Sequence, residues 1–173
     1  MDRATPTTTE RFFNEDDIIV SKTDLKGRIT YANKVFLEIC GYSEAELMGQ
    51  PHSIIRHPDM PRAVFKLLWD TIQEGREIFA YVKNMAKCGD FYWVFAHVTP
   101  TFDADHNIVS YHSNRRVPDP KIIKTAIAPL YAEILREEAA HQNGKDALAA
   151  GYRRLIDFVG SQKVSYDELV FSL

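Results

Sequence analysis

Long apolar runs are missing from this sequence: the longest, Phe91 to Ala96, has six residues, against the roughly 20 needed to cross a bilayer. No apolar signal segment follows a basic start, so no direct membrane insertion is predicted. Cysteine is scarce. Cys40 and Cys88 lie 48 positions apart without a CxxC or Cys/His cluster, which predicts reduced thiols and a cytoplasmic protein rather than a disulfide framework or a zinc site. An excess of positive charge is absent too, with 21 Lys+Arg against 24 Asp+Glu and a net charge of −3, so nothing draws the chain onto nucleic acid. There is no G-x-G-x-x-G loop, and no nucleophile and base at workable spacing. The chain therefore does not read as an enzyme.

What is present begins with a polar leader. Residues Met1 to Thr9 carry four threonines and one proline with almost no apolar content, and residues 1–13 are expected to be flexible because burial cannot offset the entropy of ordering them. Ile18-Ile19-Val20 and Ile29-Thr30-Tyr31 flank a turn at Asp24 to Gly27 and predict a hairpin. Asn33 can cap a helix ending at Cys40-Gly41, and Ser43 with Glu46 forms a capping-box pattern for a second short one. Three prolines between Pro51 and Pro61 forbid a single regular helix there and predict a shaped loop or broken helix. A helix should follow from Pro61 to about Gly75, then β runs at Ile78 to Asn84, Phe91 to Thr101 and Ile108 to Arg116.

Beyond Pro118-Asp119-Pro120 two narrow apolar stripes at helical spacing, from Ile123 to Ile134 and from Leu148 to Val159, predict two amphipathic helices, the first kinked or restarted at Pro129. Strands segregated at both ends of a helical middle imply an α+β class: an antiparallel sheet with helices on one face. The expected organisation is a leader over 1–13, a sensor domain over 14–118 and a C-terminal helical extension over 119–173.

That order, with Gly49-Gln50-Pro51-His52, Ile55-Arg56-His57-Pro58-Asp59-Met60-Pro61, Trp69, Val82-Lys83-Asn84, Gly89-Asp90 and Tyr92-Trp93-Val94, resembles a PAS domain of the bacterial aerotaxis-transducer type over roughly residues 14 to 135. The resemblance implies a five-stranded sheet and FAD held non-covalently between the sheet and the helical middle, its redox state reporting oxygen or electron-transport status. By position, the flavin-associated residues would be His52, Arg56, His57, Asp59, Trp69 and Asn84, with Trp93 added from the strand. Since strand neighbours point to opposite faces, only one of Tyr92 and Trp93 can face the interior, and the smaller set Tyr92, Val94, Ala96 better leaves room for a ligand.

Chemistry supports the set. A pyrophosphate needs positive charge or free amides, which Arg56 and the broken helix can offer. Asn84 can both donate and accept at a flavin's pyrimidine edge, and Trp69 can wall the ring. The same residues also have plainer readings, as loop-shaping prolines, backbone-satisfied histidines and a core tryptophan. His97 and His112 could instead be proximal haem ligands of a gas sensor, and a ligand-free interaction module is a third reading. Neither cysteine falls in the Ile55 to Asp59 region, which argues against flavin-adduct photochemistry. The helical stripes favour a homodimer or a signalling partner through the C-terminal helices.

Overall fold

The first hairpin forms because Gly27, at φ 75°, reverses the chain after Asp24, whose carboxylate accepts from the amides of Lys26 and Arg28. It joins β1 (Ile19–Thr23) to β2 (Ile29–Ala32) in the computed structural model, which describes residues 4–173. Asn33 accepts from Phe36 N at 3.1 Å to start α1 (Lys34–Cys40), and its amide also ties Val20 N and Ile18 O, so one side chain caps a helix and fastens it to β1. The Ser43/Glu46 capping box starts α2 (Glu44–Leu47). The proline-rich stretch resolves into a single 3-10 turn, His52–Ile55, followed by an extended corner into α3 (Arg62–Gln73).

Strands β3 (Ile78–Met85), β4 (Phe91–Phe102) and β5 (Ile108–Arg116) complete a five-stranded antiparallel sheet in the order β2-β1-β5-β4-β3. Helices α1 to α3 cover one face, so the fold is α+β as expected. Along β4, Tyr92, Val94, Ala96 and Val98 are buried on the helix-covered side while Phe91, Trp93, Phe95 and His97 alternate to the other.

The polar leader differs from expectation where it is described; residues 1–3 lie outside the described residues. Thr7 N donates to Gly89 O at 2.9 Å, Phe91 N to Thr9 O at 3.0 Å and Arg11 N to Phe91 O at 2.7 Å. Backbone pairing with the β3–β4 turn, rather than side-chain burial, orders this segment.

The C-terminal helices cover the second face. Pro129 has no N–H and its ring crowds the carbonyl four residues earlier, so α4 (Pro120–Ile122) widens into a π-helical turn, Ile123–Ile127, before α5 (Ala128–Ala139) restarts the regular helix. Tyr131 donates to the Tyr81 carbonyl at 2.6 Å and packs on Trp93, which fixes α5 to the outer face. Helix α6 (Gly144–Ser161) packs on both α5 and α3, joining the two layers. A third helix, α7 (Tyr166–Ser172), was not anticipated, although Ser165 and Glu168 form a capping box visible in the sequence. Phe171 from α7 packs against Phe79 and Phe95. The seams expected to meet a second copy are thus occupied within the chain: Ile127, Leu130, Ile134, Leu155 and Val159 are all buried. Among the described residues no helix is long and apolar enough to cross a membrane.

Candidate functional site

Between the helix-covered face of the sheet and the layer made by the 3-10 turn and α3 lies a cavity of about 480 Å³, within the roughly 300–1,000 Å³ typical of small-molecule sites. Its floor comes from β-strand residues of modest size, among them Ser21, Val82, Ala96 and Val98. Small side chains on the inner face of β4 leave the space open, as the alternation of that strand led us to expect. Trp69 and Phe65 from α3 and His52 and Arg56 from the proline-punctuated stretch form the roof. Trp69 stands edge-on to Tyr111 at 5.5 Å. A Cβ on Gly27 would come within 2.9 Å of its ring, so glycine there serves both the turn and the roof.

The deepest feature was not singled out in the sequence. Arg115, near the end of β5, is 2% exposed and lines the cavity. Its Nη2 donates to Ser21 Oγ and its guanidinium rests on the Phe36 ring at 4.5 Å, yet Nε and Nη1 have no hydrogen-bond partner among the described residues. Burial brings its pKa down to about 10, so it stays a cation. A buried guanidinium with two orphaned donors beside open space is arranged for an acceptor-rich ligand. In the sequence, Asn114-Arg115-Arg116 reads as a charged strand end, and only register with β1 and β4 turns Arg115 inward.

Ser21 also lies 3.2 Å from His52 Nε2. Because Ser21 accepts from Arg115, its own hydrogen is free for His52, which assigns the proton of the neutral imidazole to Nδ1. Burial, reinforced by the Arg115 charge, pushes His52 from the usual 6.5 down to about 3. With the folded value depressed, the unfolded chain takes up a proton first, so stability is full above pH 6.5 and is lost as pH falls from there toward 3. Chemical denaturation across that range should show a steeper loss of stability than in a His52→Gln variant; an equal slope in both would remove His52 as a source.

Of the expected site residues, His52, Arg56, Trp69 and Asn84 converge on the cavity, and His57, Asp59 and Trp93 do not line it. Asn84 is buried on β3 and its backbone bridges to Arg56, joining roof to floor. Arg56 donates to Met60 O at 3.0 Å and sits over Phe65 at 4.3 Å. His57 is buried, accepts from Asp59 N at 3.0 Å and meets Phe91 edge-on, while Asp59 pairs with Lys83 at 2.7 Å. These two pin the proline-rich corner to β4 and β3 and position the roof from outside. Trp93 is corrected outright: β-strand alternation puts it on the opposite face against Tyr131. His97 shares that face, stacked on Phe79 and bonded to Glu77 at 2.7 Å, whereas His112 borders the cavity. Cys40 is buried in α1, Cys88 is exposed in the β3–β4 turn, and neither lines the cavity.

Residues 29–115 match the family model described as PAS fold. The aerotaxis receptor of Escherichia coli (strain K12) is 43% identical over 118 residues, 68% of this chain and 23% of the receptor. The nitrogen fixation regulatory protein of Klebsiella pneumoniae is 28% identical over 99 residues, 57% of this chain and 20% of that protein. The chain thus spans about a fifth of the length of these relatives. Among solved structures, the dark state of the blue-light photoreceptor Aureochrome1 LOV superposes with a TM-score of 0.57 at 25% identity, covering 66% of this chain and 86% of that one. A light-oxygen-voltage domain studied with a flavin analogue gives a TM-score of 0.57 at 19% identity over 67% of this chain and 87% of its own, which shows the shared fold alone.

Proposed function

This chain belongs to the PAS-fold family, and from that premise we propose that it is a sensor module holding FAD non-covalently in the cavity and passing redox or oxygen status to its C-terminal helices, without catalytic turnover. The observation that carries the reading is the cavity itself: an apolar slot beneath Trp69 whose inner end holds the unsatisfied donors of Arg115. A flat ring system rimmed by carbonyls and ring nitrogens fits that combination of shape and donors. The likeness to the aerotaxis receptor supports flavin over other planar ligands.

When bound, a flavin supplies reversible electron transfer in which protonation at N5 and charge near N1 change with redox state. The chain's own residues would bind and read that change. Arg115 holds positive charge at the closed end, Asn84 presents an amide that can donate or accept, and Trp69 excludes water from one ring face. Arg115 is four residues before Asp119, the cap of α4, so a shift of β5 bears directly on the helix that opens the tail. Two redox forms that differ in interaction with Arg115 or Asn84 would favour different arrangements of that connection. A second copy or a signalling protein would meet the outer surface of the same helices.

A visible spectrum of the protein as purified tests the reading. Two broad bands in the blue and near ultraviolet are expected. One intense Soret-type band would favour haem, and no chromophore released on denaturation would favour a ligand-free module. Asn84→Ala and Arg56→Ala should each weaken flavin binding about tenfold, the equivalent of one or two lost hydrogen bonds. Full occupancy in both would overturn the site.

A further inference from the structure

Resting on the flavin reading above, we propose that the groove running along α6 from Lys66 of α3 is the subsite for the adenylate half of a dinucleotide flavin, so that α6 makes this site select FAD over FMN. The cavity does not end at Trp69: Lys66 and Leu148 line both it and a shallow groove of about 470 Å³ that continues across α6. At the junction stand Arg62 and Lys66, and along the groove Lys145 and Arg153, with Asp157 its single carboxylate. Lys66 is shared with Asp70 at 2.6 Å, and Arg62 gives one donor to Gly144 O at 3.0 Å, its other guanidinium donors making no hydrogen bond among the described residues. A run of cations leading away from an apolar slot matches a ligand whose ring system is followed by two linked phosphates.

The groove also has a surface for a base. Tyr152 is half-buried there with Lys66 Nζ 5.1 Å from its ring centroid, and aliphatic Leu148 and Ala149 flank it. An aromatic face bordered by cations is a sequence-tolerant platform for a purine. Apart from Lys66, every residue lining the groove belongs to α6, and residues 144–161 lie outside the 29–115 stretch that matches the family. The groove's share in selecting the dinucleotide is therefore assigned to this chain's own tail.

The test titrates FAD and FMN separately into the full chain freed of cofactor, following flavin fluorescence. FAD should bind at least about tenfold tighter than FMN in the parent. The double variant Lys145→Ser/Arg153→Ser, which changes two exposed side chains, should lose most of that advantage while its FMN affinity and its melting temperature stay unchanged. Equal affinities for the two flavins in the parent, or a variant that keeps the full preference, would overturn the subsite and leave the flavin cavity standing. A parent that binds neither flavin would overturn both readings together.

Discussion

An Arg115→Met variant is expected to fold as stably as the parent or more so in its ligand-free form, while binding flavin about ten- to a hundredfold more weakly. The opposing signs come from one fact: the guanidinium is buried with two donors unsatisfied and no carboxylate partner among the described residues. Burying a cation without full compensation costs the fold, and replacing it with an apolar chain of similar volume is neutral or stabilising by roughly 1–4 kcal/mol. Ser21 would lose a donor but keep His52. In the complex those same donors meet acceptors, and hydrogen bonds from a charged group contribute about 1.5–3 kcal/mol, or roughly one to two powers of ten in affinity. Denaturant unfolding of the ligand-free protein and flavin titration read the two effects separately. A variant destabilised by more than about 1 kcal/mol with unchanged affinity would make Arg115 a strut of the β-sheet and not an anchor for a ligand.

The same substitution at two glycines of α6 should give opposite results. Pro61 precedes α3 without a side-chain cap, and the missing acceptor is supplied from the tail: Glu138 accepts from Arg62 N at 3.1 Å and Ala63 N at 2.8 Å. Gly151 lets α6 lie against that carboxylate, since a Cβ there would stand 2.6 Å from Glu138 Cγ and 2.7 Å from Oε1. Nothing lies within 4 Å of a Cβ on Gly160. Gly160→Ala should therefore stabilise by about 0.5–1 kcal/mol through helix propensity. Gly151→Ala should destabilise by roughly 1–3 kcal/mol, as overpacking displaces the carboxylate from its amides. Urea midpoints at constant slope decide it. If both variants gain stability, Glu138 can move aside freely and the tail is not latched to α3.

Much of the scaffold was legible because its signals are local. Asn33 before Val35-Phe36, Ser43 three residues before Glu46 and Gly27 after Asp24 each act on their own neighbours, so reading them needs no knowledge of the rest of the chain. The alternation from Phe91 to Val98 likewise sorted small side chains onto the face that now borders the cavity. Trp93 was misplaced because a motif names residues without saying which face they take, and the leader because composition predicts burial but not backbone pairing to a turn 80 positions away.

From sequence alone came the order of elements, the antiparallel class and the broken roof, all consequences of spacing and of each residue's own conformational limits, while four of the residues that meet at the cavity, His52, Arg56, Trp69 and Asn84, came from the family resemblance. Tertiary structure alone decided that Arg115 points inward, that Glu138 caps a helix 75 residues earlier and that α6 extends the cavity's mouth. Those three depend on strand register and helix docking. Both are set by the burial of many side chains at once, so no single stretch of sequence carries them.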